Sequence, residues 1–381
     1  MNTLTPPLTV AEYFAGIGLM RLGLEPLGWR VVWANDISAK KYEMYRDFFP
    51  DAADHYRLGD IFEVAPASVP PTTLATCSFP CIDLSLAGNM GGIGGEHSSA
   101  FWGFINILKS QGASAPPLVL VENVLGWLYS NQGADFRVTI QALNELGYAC
   151  DVFTLDALRF TPQSRLRVFV VGAKFPLAEQ NVALIFSRPP ALLSERLRKS
   201  IFANLDLNWF YHELPAPPPR RTSGLSNIVE PLSAADDRWW AEAEVQRHLD
   251  MMEPAHYERV AQFIQAEQPA YRTFFRRRRK GRQRAEVRPD DLSGCLRTAV
   301  GGSGKQFLIQ AGQGQVKMRA MTPREYARLQ GVPDHYPIRA NGVQALTGFG
   351  DAVCVPVISW LAEHSLKSLV EKHSQLIRPH G

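Results

Sequence analysis

The chain has 381 residues, of which 46% are hydrophobic and 20% are charged, proportions that are typical of a globular protein. This composition excludes a disordered or collagen-like chain, and the continuous apolar runs are too short to cross a bilayer. The five cysteines are scattered and include no Cys-x-x-Cys pair, which argues against both a disulfide framework and a zinc site. We therefore expect a cytoplasmic protein without a metal or a membrane contact, divided into about two to three domains.

The net charge of +3 is unevenly distributed along the chain. The stretch 175–320 holds 22 Lys and Arg against 16 Asp and Glu, a net charge of +6, and the remainder carries −3. A basic part on an otherwise slightly acidic protein indicates a module that binds a polyanion.

Apolar runs alternate with amphipathic stretches through the first half of the chain. The predicted strands are Leu8–Phe14, Trp29–Ala34, Leu74–Ser78, Leu118–Val121, Cys150–Leu155 and Val168–Gly172. The predicted helices are Leu19–Leu27, Ser38–Phe48, Ala100–Lys109 and Asp135–Leu146. Strands that alternate with helices in this way predict a mainly parallel, doubly wound sheet.

The pattern changes after Phe175, where prolines cluster and the regular alternation is lost. The stretch Glu242–Gln268 predicts one or two helices, and the run Arg276–Arg284 that follows is basic at seven of nine positions. A helix is predicted again near Met321, with Pro323 as its first helical residue. An amphipathic helix over Val353–Leu369 is predicted to close the chain.

The turn Phe14–Gly18 links the first predicted strand to the first predicted helix. Its glycines permit a tight turn and the close approach of a ligand to a helix N-terminus, although a plain turn remains an alternative. Asp36 ends the second strand, where an acid can bind ribose hydroxyls, and Asp60 follows the next turn, where it can accept a hydrogen bond from an exocyclic amine. Together these features predict an adenosine-containing ligand.

Three further sets of residues that could take part in a reaction lie beside predicted strands. Cys81 follows Pro80 in a loop rich in Ser and Gly, where a nucleophilic thiol is plausible, whereas the other four cysteines are expected to be small buried hydrophobes. Glu122 follows a buried strand, where a carboxylate is costly without a partner, with helix capping as the alternative. Strand alternation puts Arg165 and Arg167 on one face, where salt bridging is the alternative role for each.

These motifs, taken in order, resemble those of the cytosine-C5 DNA methyltransferases. The matching segments are Phe14-Ala15-Gly16-Ile17-Gly18, Pro80-Cys81 with Ser85, Ala87 and Gly88, Glu122-Asn123-Val124, Gln163-x-Arg165-x-Arg167, the helix motif from Arg319 to Pro333, and Gly350-Asp351-Ala352-Val353. The resemblance implies an α/β fold: a doubly wound mixed sheet of the S-adenosylmethionine-dependent methyltransferase type, with a second, smaller, irregular target-recognition domain. The implied domains are 1–177 for catalysis and cofactor binding, 178–337 for DNA binding, and 338–381 as a segment returning to the catalytic domain.

The resemblance implies methyl transfer from S-adenosylmethionine to carbon 5 of cytosine in duplex DNA, with S-adenosylhomocysteine as product. Cys81 would attack carbon 6, Glu122 would bind the N3 and N4 edge, and Arg165 would bind O2 and stabilise the developing charge. The target base would be flipped out of the duplex to reach these groups. The cofactor residues implied are Phe14, Gly16, Gly18, Asp36, Ile37, Asp60, Ile61, Pro80 and Val353.

The same resemblance assigns the basic stretch to DNA binding. The residues expected to contact DNA are Ser85, Arg167, Arg277, Arg278, Lys280, Arg297 and Thr298. For the run Arg276–Arg284 the alternative is a solvated flexible loop. Three positions depart from the common family pattern, namely Ile82 for Gln, Asp351 for Asn and His97 for Arg, and the first of these puts the contact between the catalytic loop and DNA in doubt.

Two other functions stay open at this point. Some relatives with these motifs act on transfer RNA, and basic charge attracts both nucleic acids. A catalytically silent DNA-binding protein is the second alternative, although binding alone needs neither Cys81 nor Glu122. The partners expected are duplex DNA and, in a restriction–modification pair, a companion restriction endonuclease; the enzyme itself is expected to be a monomer.

Overall fold

The computed structural model describes residues 8–80, 99–175, 182–298 and 304–376. Packing divides the chain into two compact units. Unit 1 takes in Met1–Asp156, Leu166–Pro217 and Val357–Gly381, and unit 2 takes in Ala157–Arg165 and Pro218–Pro356. These boundaries differ from those drawn after residues 177 and 337, because the segment 157–165 and the residues up to 356 pack within unit 2.

Unit 1 contains, within its described residues, one seven-stranded mixed sheet. Its strands are β1 (Thr9–Tyr13), β2 (Arg30–Asp36), β3 (Tyr56–Leu58), β4 (Leu74–Cys77), β5 (Leu118–Val124), β6 (Ala149–Asp156) and β7 (Leu166–Ala173). The strand order is β3-β2-β1-β4-β5-β7-β6, in which β1 to β5 pair in parallel and β7 is antiparallel to both of its neighbours. The predicted fold class and all six predicted strands are confirmed, and the short edge strand β3 is an addition to them.

Helices cover this sheet and complete its core. They are α1 (Leu19–Leu24), α2 (Ala39–Phe48), α3 (Ala52–His55), α4 (Ala100–Gln111), α5 (Ala134–Glu145), α6 (Val182–Ile185) and α7 (Glu195–Phe202). Short 3-10 turns lie at Glu25–Leu27, Ile61–Glu63, Pro66–Ser68, Gly112–Ser114, Leu125–Leu128 and Ser130–Gly133. Phe101 and Phe104 of α4 pack with Trp127 and Phe136 in one buried cluster under β4 and β5. This aromatic layer fixes the strands at whose ends the candidate site lies.

Unit 2 contains, in its described part, a four-stranded antiparallel sheet with two helices packed on it. Its elements are α8 (Glu242–Asp250), α9 (Pro254–Ile264), β8 (Ala270–Arg279), β9 (Arg282–Val287), β10 (Gln306–Gly312) and β11 (Gln315–Ala320), with strand order β11-β10-β8-β9. Two further 3-10 turns lie at Ala157–Arg159 and Leu225–Asn227. The basic run is the hairpin between β8 and β9, so this domain is more regular than the irregular one that was expected. Arginine at successive positions conceals the period-two alternation by which a strand is recognised.

Helices form most of the remaining described chain. They are α10 (Pro323–Leu329), α11 (Gly342–Asp351), α12 (Val355–Leu361) and α13 (Lys367–Leu376), with a π-helical segment at Ala362–Leu366. Pro323 is the first residue of α10 as predicted, and Thr322 and Glu325 form a capping box there. The single predicted closing helix is interrupted by the π segment. The run Gly342–Ser374 is long and apolar enough to cross a membrane, yet 72% of its most apolar window is buried, as in the core helices of water-soluble folds.

Candidate functional site

The turn after β1 has the backbone geometry that its glycines were expected to allow. Phe14, Gly16 and Gly18 all have positive φ angles, of 60°, 56° and 81°. A Cβ added at Gly18 would lie 2.5 Å from the Phe49 ring, so only glycine fits there. The Gly16 amide donates a 3.0 Å hydrogen bond to Asp36 Oδ2, which ties this turn to the end of β2.

The ends of β2 and β3 present acids beside exposed apolar side chains. Asp60 Oδ1 accepts a 3.0 Å hydrogen bond from the Phe62 amide, and its Oδ2 has no hydrogen-bond partner among the described residues. Ile37 is 69% exposed and Phe62 is 55% exposed. Exposing these apolar side chains to water is unfavourable, and a bound aromatic base would cover them. Ile61 is buried, and its Cγ2 would lie only 2.7 Å from a Cβ added at Gly103 of α4.

The residues from Phe14 to Ile61 that were predicted to bind adenosine all lie just after β1, β2 or β3 or at the end of β2, in unit 1. The two carboxylates keep lone pairs for ribose hydroxyls and an exocyclic amine. Phe62 is a candidate contact that sequence reasoning missed, since nothing in its neighbourhood distinguished it from Ile61. Two predicted cofactor residues remain: Pro80 is partly buried after β4, and Val353 is buried in unit 2.

Glu122 and Arg167 meet on adjacent strands of unit 1. In the antiparallel register of β5 and β7, Glu122 lies opposite Phe169, and Arg167 lies opposite Val124. Arg167 Nε lies 3.1 Å from Glu122 Oε1, and the Glu122 residue is only 8% exposed. The carboxylate that was expected to need a partner has one, and the partner is an arginine that sequence analysis assigned to DNA.

Arg165 has a different environment, inside unit 2. Its guanidinium donates to the carbonyl oxygens of Leu296, Gly350 and Ala352 at 2.9, 3.3 and 2.7 Å. It is 4% exposed, and its Nη1 also lies 3.6 Å from Cys295 Sγ. With these donors committed to main-chain carbonyls, Arg165 joins three segments of its own unit.

The predicted nucleophile Cys81 and the predicted DNA contact Ser85 lie outside the described residues. The chain reaches them from β4 through Phe79, whose carbonyl accepts a 3.3 Å hydrogen bond from Asn123 Nδ2. This bond holds the segment after β4 against the residue next to Glu122. Cys77 in β4 is fully buried, and burial raises the pKa of its thiol well above the usual range, so it is a poor nucleophile.

The predicted recognition segment of unit 2 is anchored at its described end. The Thr298 hydroxyl donates a 2.6 Å hydrogen bond to Asp351 Oδ1. A Cβ added at Gly350 would lie 2.2 Å from the Arg297 carbonyl oxygen, so the two segments are in close contact. Asp351 accepts this bond through Oδ1, an acceptor that the asparagine common in the family also has.

The predicted DNA contacts of the basic run lie on the β8–β9 hairpin. Arg278 and Lys280 are exposed, and Arg277 is partly buried. Arg277 Nε lies 3.2 Å from Glu286 Oε2, and Arg279 Nε lies 2.5 Å from Glu286 Oε1. Glu286 therefore offsets only part of the positive charge on this hairpin.

Comparison with known proteins extends these observations to the whole chain. A family model described as C-5 cytosine-specific DNA methylase matches residues 8–367. The type II methyltransferase M.HaeII of Haemophilus aegyptius is 26% identical over 359 residues, which are 94% of this chain and 92% of that protein. The type II methyltransferase M.HhaI of Haemophilus parahaemolyticus is 24% identical over 363 residues, covering 95% of each chain.

Solved structures resemble the fold over the same extent. The S. pombe Dnmt2 methyltransferase aligns with a TM-score of 0.60 at 17% identity, over 96% of this chain and 99% of its own. A putative DNA modification methyltransferase encoded within an E. coli prophage aligns with a TM-score of 0.55 at 14% identity, over 96% and 99% of the two chains. At these identities the likeness is evidence for the fold alone.

Proposed function

The chain belongs to the C-5 cytosine-specific DNA methylase family, and from this premise we propose that it transfers a methyl group from S-adenosylmethionine to carbon 5 of cytosine in duplex DNA. The observation that carries the proposal is the Glu122–Arg167 ion pair at the strand ends of unit 1. An acid held by a guanidinium is suited to bind the polar edge of a pyrimidine, which offers a ring nitrogen, an amine and a carbonyl. We further expect the enzyme to act as a monomer in the cytoplasm, with a companion restriction endonuclease if it belongs to a restriction–modification pair.

The reaction requires a nucleophile because carbon 5 of cytosine is itself a weak one. In the proposal the Cys81 thiolate bonds to carbon 6 and Glu122 binds N3 and the N4 amine, so that electron density collects at carbon 5. S-adenosylmethionine supplies the electrophilic methyl group on a sulfonium. Loss of the carbon 5 proton to water and elimination of Cys81 as its thiolate would then restore the aromatic ring, with S-adenosylhomocysteine as the other product.

The geometry favours Arg167 over Arg165 for the cytosine O2 contact that sequence analysis assigned to Arg165. Arg167 binds Glu122 directly, and a base held by Glu122 comes within reach of the same guanidinium. Arg165 donates from Nη1 and Nη2 to three carbonyls of unit 2. We therefore assign charge stabilisation to Arg167 and the holding of main-chain segments to Arg165.

The residues of the adenosine site fit S-adenosylmethionine. Asp36 would accept from the ribose hydroxyls and Asp60 Oδ2 from the adenine amine, with the base between Ile37 and Phe62. Phe14, Gly16 and Gly18 shape the turn beside it, and Pro80 ends the segment that leads to Cys81. The target base must leave the duplex to reach Glu122 and Cys81. The free-energy cost of unstacking the base would be offset by its contacts with the enzyme.

Covalent trapping tests the proposal. Duplex DNA with 5-fluorocytosine at the methylated position should capture the protein, because fluorine cannot leave as the carbon 5 proton does. Capture should require S-adenosylmethionine and should be lost in Cys81→Ala. The matched control is Cys77→Ala, a buried thiol that should leave trapping intact.

Two outcomes would contradict this assignment. Trapping that survives in Cys81→Ala would mean that the nucleophile is another group. Tritiated methyl transfer to transfer RNA but not to duplex DNA would replace the DNA substrate with RNA while keeping the chemistry.

A further inference from the structure

The tip of the β8–β9 hairpin extends beyond the rest of its sheet. Among the described residues, β10 pairs with β8 only as far as the Gln306–Phe275 pair. From Arg276 to Ala285 the hairpin is a two-stranded ribbon, closed by the left-handed residues Lys280 and Gly281. We call residues 276–285 the ribbon. A two-stranded β-ribbon has the dimensions that fit the major groove of B-form DNA.

The ribbon is fixed at its root by the core of unit 2. The Arg276 guanidinium lies 4.7 Å from the centroid of the Phe307 ring, and Phe307 stacks on Phe274 at 5.1 Å. Ala285 is buried and its amide donates to the Met251 carbonyl. Side chains at the tip are therefore presented from strands rather than from a loop, which sets their positions more accurately.

The two faces of the ribbon differ in chemistry. The cross-strand pairs Arg277–Arg284 and Arg279–Arg282 lie on one face. Glu286 on that face binds two of these arginines, so their donors are partly occupied. What remains is a net positive surface, suited to phosphates, which require charge rather than a particular pattern of donors and acceptors.

The opposite face carries a pair with the groups that read bases. Arg278 and Gln283 lie directly across from each other in the antiparallel register, and both are exposed. Neither side chain makes a hydrogen bond or ion pair with a residue in the described ranges. An arginine fork complements O6 and N7 of guanine, and a glutamine amide complements N6 and N7 of adenine, both in the major groove.

We propose that the ribbon enters the DNA major groove and reads sequence there, with Arg278 selecting a guanine and Gln283 selecting an adenine at a neighbouring position. The inference rests on the proposed function, since it needs duplex DNA as the substrate. It also requires DNA rather than double-stranded RNA, because the major groove of A-form RNA is too deep and narrow for side chains to read.

The test compares the sequences that variants methylate. Wild type, Arg278→Ala, Gln283→Ala and Arg277→Ala are incubated with a randomised duplex library and S-adenosylmethionine, and methylated cytosines are mapped with their flanks by bisulfite sequencing. Arg278→Ala should lose preference for guanine at one position of the motif, and Gln283→Ala should lose preference for adenine at another. A bidentate contact gives about 1–3 kcal/mol of discrimination, so each preference should weaken by roughly 5- to 150-fold.

Arg277→Ala is the matched control from the other face of the ribbon. It should lower methylation of all sequences together and leave the motif unchanged, as expected for a phosphate contact. A wild-type motif in both Arg278→Ala and Gln283→Ala would overturn the inference while leaving the proposed function standing. A wild-type protein that methylates no cytosine in the duplex library would instead overturn the proposed function, and the inference with it.

Discussion

At the scale of single residues, the structure gives different partners to two arginines that lie two positions apart in the sequence. Strand alternation put Arg165 and Arg167 on one face, and only their contacts distinguish them. Arg165 packs in unit 2 against carbonyls from residues 296–352, a long-range arrangement that no local pattern reveals. Arg167 is the second residue of β7 and binds Glu122, a pairing set by the register of β5 with β7. Residue types at a site can be predicted from motifs, whereas partners separated by more than 100 positions cannot.

A pair of Arg→Lys substitutions tests this division of roles. Arg167→Lys keeps a positive charge beside Glu122, so we expect the melting temperature to stay near that of the wild type. The rate constant kcat should fall by about 10- to 100-fold, because lysine lacks the planar fork that can bind a carboxylate and a base together.

The effects should be reversed in Arg165→Lys. The guanidinium reaches these carbonyls from two separate nitrogens, whereas the single nitrogen of a lysine cannot occupy both positions. Leaving buried acceptors unpaired should cost about 1–3 kcal/mol of unfolding free energy. Thermal unfolding and single-turnover methylation, measured where both variants are folded, check the two effects. A larger loss of kcat in Arg165→Lys than in Arg167→Lys would restore the role that the sequence first suggested for Arg165.

At the scale of elements, the sequence predicted the helices and strands whose buried residues give a clear hydrophobic pattern. β5 starts with the continuous apolar run Leu118–Val121, and the predicted helix start at Pro323 has both an N1 proline and a capping box. The β8–β9 hairpin escaped prediction because charge replaces the alternation of apolar and polar residues at its tip. Its strand character comes from pairing with β10 and from the Phe274 core beneath it, both of which are tertiary effects.

The charge on the hairpin also predicts how DNA affinity depends on salt concentration. Each phosphate contact adds about 0.9 to the slope of log affinity against log salt. The double variant Arg277→Ala/Lys280→Ala should therefore lower that slope by up to about two units, to a similar degree on cognate and unrelated duplexes. Fluorescence anisotropy of labelled duplexes over a salt series measures the slope.

Glu286 provides a control of opposite sign. Glu286→Gln removes the carboxylate that binds Arg277 and Arg279, so the slope should rise by up to about one unit. If neither variant changes the slope, the basic run is a solvated surface and the DNA-binding face lies elsewhere in the chain.

At the scale of the whole molecule, unit 1 and unit 2 are interleaved along the chain. Three separate segments build unit 1 and two build unit 2, so the order of motifs predicts the family but not which residues fold together. The domain limits expected from sequence were placed where the motifs begin and end. The compact units are instead defined by which residues pack together. Residues 157–165 pack within unit 2, although the motif Gln163-x-Arg165-x-Arg167 continues into unit 1.

Stability of the folded chain should depend on pH through one buried acid in β1. Glu12 is 1% exposed, and neither carboxylate oxygen has a hydrogen-bond partner among the described residues. Burial raises the pKa of Glu12 to about 8, against the opposing charge of Arg21. Arg21 is itself engaged with Glu25, Asp51 and Tyr45.

Because the folded-state pKa lies above the ordinary value of 4.5, the folded chain keeps a proton that the unfolded chain releases. The stabilising contribution of the protonated carboxyl is complete below about pH 4.5 and is lost as the pH rises toward 8. Glu12→Gln imitates the protonated form at every pH. We therefore expect its unfolding free energy to match wild type at pH 5 and to exceed it at pH 8 by an amount on the order of a few kcal/mol. Urea unfolding at several pH values measures both curves, and parallel curves would mean that Glu12 titrates alike in the folded and unfolded chains.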